Sequence, residues 1–130
     1  MTQTAESTRA VSLTVPAKPD YVVLARLALG AVCRLAPLSP EEVGDLKLAM
    51  TEAAALAVAS PRADGADTAM RFGFEVRDDR IVLEVSGVGD PTLADEEREL
   101  STAIIEATVD EYERNGDTMT LVKLLRAPSE

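Results

Sequence analysis

The residues with the clearest potential for chemistry are an acidic side chain and two arginines on neighbouring helical segments. Glu52 lies in the segment DLKLAMTEAAALAV, and Leu56 follows it one helical turn later on the same face. A glutamate at such a position can act as a general base, although it can equally be a solvated surface residue. Arg26 and Arg34 share one stripe of the preceding helical segment, eight residues apart. Arginine is a favoured interface anchor, but it can also simply extend to solvent from an apolar helix.

Composition excludes several kinds of site. The 130 residues include no histidine and one cysteine, so a Ser-His-Asp triad, an imidazole zinc site and an internal disulfide cannot form. We expect Cys33 to be a small buried hydrophobe rather than a redox switch. The net charge of −10 and the aromatic content of 3% disfavour nucleic-acid binding, because acids repel phosphates and few rings are present for stacking. We expect a cytoplasmic protein with no membrane segment and no metal site.

The negative charge is concentrated in the second half of the chain. Residues 66–130 carry 16 acids and 7 bases. Within residues 90–117, 10 acids accompany only Arg98 and Arg114. Such a run is either a solvated face or a surface for a basic protein partner, and the sequence leaves both interpretations open.

Hydrophobic periodicity predicts one domain over residues 11–126, between flexible tails at 1–10 and 127–130. The predicted elements, in order, are a strand at 11–15, helices at 20–36 and 40–60, strands at 70–76 and 81–86, a third helix from about 95, and strands at 109–114 and 117–125. This order predicts an α+β fold, a two-layer α/β sandwich in which three helices cover one face of a mixed, mostly antiparallel sheet.

Local signals define the ends of the helices. Ser39, Pro40 and Glu42 have the spacing of a capping box with proline at the first helical position. Asp20 and Thr92 are the predicted N-caps of the first and third helices. These signals fix where each helix should begin.

Spacing also predicts a turn and two buried helix faces. Asn115-Gly116 between two strand-like runs is a hairpin signal. The expected core face of the second helix comprises Val43, Leu46, Met50, Ala53 and Ala57. The expected core face of the third helix comprises Leu100, Ala103, Ile104 and Ala107.

The second helical segment, residues 45–58, resembles that of the anti-sigma-factor serine kinases in the gyrase–histidine-kinase ATPase superfamily. The similarity extends over residues 13–125 and includes Ala25-Arg26-Leu27, Val85-Ser86 and the closing segment VDEYERNGDTMTLVKLL. The resemblance implies the histidine-kinase-like ATPase fold. It also implies that Arg26 lies on the surface that contacts a sigma factor and its antagonist.

The resemblance further implies where the helix of an ATP site would lie. In that family the second helix carries Glu-x-x-x-Asn, in which the glutamate activates the attacking hydroxyl and the asparagine holds magnesium. Glu52 matches the glutamate, whereas Leu56 stands at the asparagine position. Leucine has no oxygen to offer a hard cation, so Glu52 is only a candidate base.

The other two nucleotide motifs of the family are also altered. In the family's Asp-x-Gly-x-Gly motif, the aspartate accepts a hydrogen bond from adenine; here Gly87 replaces it, Gly89 matches the first glycine, and Pro91 stands at the second. Asp90 is an alternative acceptor three residues away. The acid-rich residues 90–100 replace a glycine-rich lid and would repel a triphosphate.

We therefore predict an anti-sigma-factor-like regulator that binds a sigma factor or an anti-anti-sigma factor through Arg26 and Arg34. No cofactor is expected, since ATP and magnesium would bind only if the altered site still functions. The apolar first helix predicts a homodimer. The alternative is an active ATP-dependent serine kinase that phosphorylates the anti-anti-sigma factor, with Glu52 as its base. A sulfate-transporter-and-antagonist-type domain fits poorly, because two helices follow the first strand.

Overall fold

A computed structural model describes residues 9–59, 69–87 and 94–125. The elements within these ranges are β1 (Arg9–Pro16), α1 (Pro19–Cys33), α2 (Pro40–Val58), β2 (Ala69–Val76), β3 (Arg80–Ser86), α3 (Asp95–Thr108), β4 (Glu111–Asn115) and β5 (Thr118–Leu124). The predicted order of strands and helices is confirmed. The predicted residues Gly89, Asp90, Pro91 and Thr92 lie outside the described residues. The prediction of Thr92 as the N-cap of the third helix is wrong, because α3 begins at Asp95 and its N-cap is Ala94.

The five strands form one sheet in the order β1-β2-β3-β5-β4. Each of the four strand pairings is antiparallel, so the described part of the sheet has no parallel pair. Alternating apolar side chains of β2 and β3 are buried on one face of the sheet, including Phe72, Phe74 and Leu83. Arg71 and Glu84, on the other face, are exposed. The predicted α+β sandwich is confirmed.

Helix α2 is the central element of the helical layer. It packs between α1 and α3 and also contacts β2, β3 and β5. The predicted capping box begins this helix, since the Glu42 amide donates to Ser39 Oγ at 3.1 Å and the Ser39 amide donates to Glu42 Oε1 at 2.9 Å. Four predicted core residues are buried and Val43 packs against them; the four are Leu46, Met50, Ala53 and Ala57. Helix α2 therefore positions Glu52 and Leu56 between the other two helices and the sheet.

The ends of α1 differ from the prediction. The helix begins at Pro19 after Lys18, so Asp20 lies in the first turn and is not the N-cap. Proline occupies this first position because its fixed φ suits a helix and its missing amide hydrogen is not needed there. The helix ends at Cys33, three residues before the predicted Ala36.

The predicted buried face of α3 is wrong. Leu100 is 61% exposed and Ala103 and Ala107 are exposed, whereas Ser101 and Ile105 are buried. The buried face is therefore shifted by one residue from the predicted one, and on it Ser101 contacts Glu52 of α2 through a hydrogen bond.

The hairpin between β4 and β5 is confirmed, but its turn is shifted by one residue. Asn115 pairs with Thr118, which leaves Gly116 and Asp117 as the two loop residues. Gly116 has φ of 62°, whereas Asn115 has a negative φ. Glycine at the first loop position is typical of a type II′ turn, which follows the right-handed twist of the strands.

Candidate functional site

Glu52 makes its hydrogen bond to a side chain of the same protein. Ser101 Oγ on α3 donates to Glu52 Oε1 on α2 at 2.9 Å. The serine is 8% exposed, and the glutamate is half-buried. A carboxylate that accepts a hydrogen bond from a hydroxyl group in this way is chemically suited to orient that hydroxyl. The hydroxyl that it holds here belongs to α3, so the contact fixes α3 against α2.

Leu56 lies one turn further along α2 and is part of the core. Its side chain is 2% exposed. A buried hydrocarbon side chain supplies no ligand for magnesium, which prefers carboxylate, amide and water oxygens. Among the described residues, no cluster of three or more acidic, cysteine or histidine side chains could hold a metal ion.

Gly87 follows β3 in a backbone conformation that favours glycine. Its φ is 98°, and a Cβ added there would lie 2.7 Å from the carbonyl oxygen of Ala69. Its amide donates to the carbonyl oxygen of Asp117 at 3.0 Å, which anchors the backbone in this position. An aspartate at residue 87 would therefore require the backbone to move. The positions of the family's aspartate and asparagine are thus held by a glycine with positive φ and by a buried leucine.

The first turn of α3 carries three acids, Asp95, Glu96 and Glu97. The Ala94 amide donates to Glu97 Oε1 at 3.3 Å, and Arg98 pairs with Asp95 at 2.8 Å. Carboxylates at a helix N-terminus satisfy its exposed amides and its dipole. The acidic side chains of α3 therefore interact with the N-terminus of their own helix.

Arg26 and Arg34 line one groove between the second half of α1 and the first half of α2. Both arginines are exposed, and the groove has a volume of about 570 Å³. Lys47 of α2 also lines this groove, whereas none of the carboxylates among the described residues does. Sequence reasoning missed Lys47, because a lysine on a helix has no signal that distinguishes it from a solvated one. Lys47 joins the two arginines in this groove because its side chain lies over Gly30, which stands between Arg26 and Arg34 in the sequence stripe.

Cys33 lies in the interface between α1 and the rest of the core. It is 4% exposed. Burial raises the pKa of its thiol, and the positive charge of Lys47 partly opposes this effect. The predicted burial of Cys33 is confirmed, and a protonated thiol is the less reactive form.

The outer surface of α1 is apolar. Leu27 is 67% exposed, and the other exposed apolar side chains on this helix are Tyr21, Val23 and Leu24. Leu35, just after the helix, extends this surface. Exposed apolar surface of this kind is typical of a protein–protein contact. None of the described helices has the length and hydropathy to cross a bilayer.

Comparison with known proteins agrees with this architecture. Residues 15–125 match the family model for the histidine kinase-like ATPase domain. The serine-protein kinase RsbW of Bacillus licheniformis is 33% identical over 117 residues, which cover 88% of this chain and 73% of that protein. RsbW of Bacillus pumilus is 31% identical over 123 residues, covering 92% of this chain and 76% of that protein.

A solved structure shows the same fold. The RsbU and RsbW domains of Rv1364c from Mycobacterium tuberculosis align with a TM-score of 0.71 at 19% identity, over 92% of this chain and 33% of that one. The chain belongs to the histidine kinase-like ATPase domain family, and within it to the RsbW group. The resemblance found in the sequence is thereby confirmed.

Proposed function

We propose that this protein is a cytoplasmic regulator that acts by binding other proteins, and that its nucleotide binding is weakened or lost. Its partners would be a sigma factor, an anti-anti-sigma factor, or both in competition. The membership in the RsbW group supports this kind of partner. Sequestration is the mechanism, because a bound sigma factor is unavailable until the competing partner displaces it.

The observation that carries the proposal is the Ser101–Glu52 hydrogen bond, at 2.9 Å. A kinase of this family would need the Glu52 carboxylate for an incoming hydroxyl, and here α3 supplies that hydroxyl. One turn away, the buried Leu56 offers magnesium no oxygen. The face of α2 that would serve phosphoryl transfer therefore serves helix packing instead.

The surface of α1 supplies the binding area in this proposal. Its exposed leucines, Leu24 and Leu27, are suited to a second copy of the chain, so we include a homodimer. Arg26 and Arg34 lie on an adjacent stripe and remain available to a partner. Arginines that lie beside apolar surface often contribute much of the binding energy of a protein–protein interface.

A tagged full-length chain tests the proposal by affinity capture from its native bacterial lysate, followed by mass spectrometry. We expect recovery of a sigma factor or an anti-anti-sigma-like protein. Arg26→Glu should reduce the recovery, whereas Arg71→Glu, on the exposed face of the sheet, makes the same charge change and should leave it unchanged. Recovery of neither class of protein would contradict the proposal.

The second candidate function is that of an active serine kinase for the anti-anti-sigma factor. It is favoured by the position of Glu52 on α2, which matches the glutamate of the family's Glu-x-x-x-Asn motif. Incubation of the purified chain with the captured antagonist, magnesium and labelled ATP tests it. Label on the antagonist that disappears with Glu52→Gln would favour the kinase, whereas absence of label favours sequestration.

A further inference from the structure

We propose that the groove between α1 and α2 binds an acidic amphipathic helix of a partner protein. The residues that would recognise its carboxylates are Arg26, Lys47 and Arg34. This inference rests on the proposed function for the statement that the partner is a protein. It adds the chemistry of the segment that docks and a residue, Lys47, that completes the site.

The three cations form an evenly spaced row. Arg26 and Gly30 are four residues apart on α1, and Arg34 follows four residues later as the C-cap of the helix, with helical φ and ψ. Lys47 reaches from α2 to the middle position, where its Cε and Nζ lie 3.6 Å from the place of a Cβ on Gly30. Because a helix rises about 6 Å in four residues, Arg26 and Arg34 are about 12 Å apart along the axis, and Lys47 lies between them.

These cations are not neutralised by the described part of the protein. None of the three forms an ion pair within the residues that the structure describes, and no acidic side chain lines the groove. The whole chain nevertheless carries a net charge of −10. The positive row can bind a short acidic segment of a partner. A partner whose whole surface is acidic would be repelled by the rest of this negatively charged chain.

The rest of the groove lining is apolar, and the apolar surface continues past Arg26. The apolar residues around the cation row are Leu27, Ala31, Ala36, Leu38, Pro40 and Val43. Arg26 also lines a second groove of about 330 Å³, whose other residues include Val22, Ala55 and Val58. The seam between the helices therefore exceeds the length of the cation row, as a docked helix of several turns requires.

An amphipathic helix is the ligand whose geometry matches this row. Carboxylates at every fourth residue of a helix recur at about 6 Å, the same interval as the cations, and leucines one position earlier would face the apolar lining. Phosphates of a nucleic acid have a comparable spacing, but no aromatic side chain lines the groove to stack a base. Charge and lining together favour the acidic helix.

Fluorescence anisotropy with a synthetic peptide tests the inference. The probe is a labelled amphipathic peptide with glutamates at i, i+4 and i+8 and leucines at i+3 and i+7. The comparison peptide has the same composition with its three glutamates adjacent. We expect Lys47→Glu and Arg34→Glu each to weaken binding of the first peptide by about tenfold or more, and Arg71→Glu by less than about twofold. Thermal unfolding of each variant verifies that it is folded.

Several results would overturn the inference. Equal affinity for the two peptides would contradict the spacing argument, and unchanged binding by Lys47→Glu would contradict the role of the row. Tighter binding of a single-stranded oligonucleotide of the same length would assign the groove to nucleic acid instead. Capture of a sigma factor or antagonist by Lys47→Glu as efficiently as by the wild type would refute the inference and leave the proposed function standing. If the chain binds the peptide with spaced glutamates in preference to the comparison peptide but captures neither partner, the inference would stand and the proposed function would be refuted.

Discussion

The Ser101 hydroxyl on α3 and the Glu52 carboxylate on α2 are joined by a hydrogen bond of 2.9 Å, in which the serine is buried and the glutamate half-buried. This bond joins the buried face of α3, which carries Ser101 and Ile105, to α2. It also engages one oxygen of the glutamate that matches the base of the kinase family. The same glutamate therefore has a structural partner where the family has a catalytic one.

Removal of the serine hydroxyl should weaken the packing of α3 on α2. We expect Ser101→Ala to lower the free energy of unfolding by about 1–3 kcal/mol, because a half-buried carboxylate loses its donor. Urea unfolding measures this change. Thr102→Ala, on the same helical turn, is the matched control and should cost less, and an equal cost for the two variants would contradict the role of the hydrogen bond.

Restoring the asparagine of the family at position 56 should destabilise the protein rather than create a magnesium site. Leu56→Asn places an amide in the core, which should cost about 3 kcal/mol. Thermal and urea unfolding measure the loss. Leu48→Asn on the same helix is the control, since Leu48 is 44% exposed and the change should cost much less. A stable Leu56→Asn protein that gains affinity for magnesium–ATP would show that the site is merely eroded.

Gly87 should tolerate no side chain. Gly87→Ala forces an L-residue to keep φ of 98° with a Cβ 2.7 Å from the Ala69 carbonyl oxygen, and we expect a loss of about 1–3 kcal/mol. Gly44 in α2 provides the opposite control, because nothing lies within 4 Å of an added Cβ. Gly44→Ala should stabilise the helix by about 1 kcal/mol. Similar stability of the two variants would contradict the strained geometry at Gly87.

The buried thiol of Cys33 should make stability fall in alkaline solution. Burial raises its pKa above the ordinary value of 9.0, so above that pH the unfolded chain has released a proton that the native state retains. The free energy of unfolding must then decrease as the pH rises. Urea unfolding between about pH 8 and pH 10 should show a shallower decline for Cys33→Ala than for the wild type. Equal slopes would contradict a raised pKa in the folded state.

The fold follows from signals that act over a few residues. The capping box of Ser39 and Glu42, the alternation around Phe72 and Phe74, and the glycine of the last hairpin are each determined by local geometry. They could therefore be read from the sequence, although the bounds of several elements, among them β1, α1, α2 and β4, and the position of the turn differ by one to three residues. The choice between Asn115 and Gly116 as the first turn residue depended on which of them adopts a positive φ.

The features that the sequence did not reveal depend on contacts between helices. Leu100 and Ile104 have the stronger hydrophobic pattern, but α2 presents a carboxylate to α3, so Ser101 is the residue that is buried. Lys47 belongs to the cation row only because α1 and α2 pack side by side and Gly30 leaves room for it. At the altered nucleotide site, the residue types at positions 56 and 87 were visible from the sequence. The burial of Leu56 and the positive φ of Gly87 could be known only from the structure.

Calorimetric titration of the chain with magnesium–ATP tests whether the face of α2 that carries Glu52 and Leu56 serves helix packing instead of nucleotide binding. We predict no saturable heat at about millimolar nucleotide, under conditions in which the Bacillus licheniformis RsbW is titrated alongside as the reference. Saturable binding by this chain that Glu52→Gln or Gly87→Ala alters would contradict it.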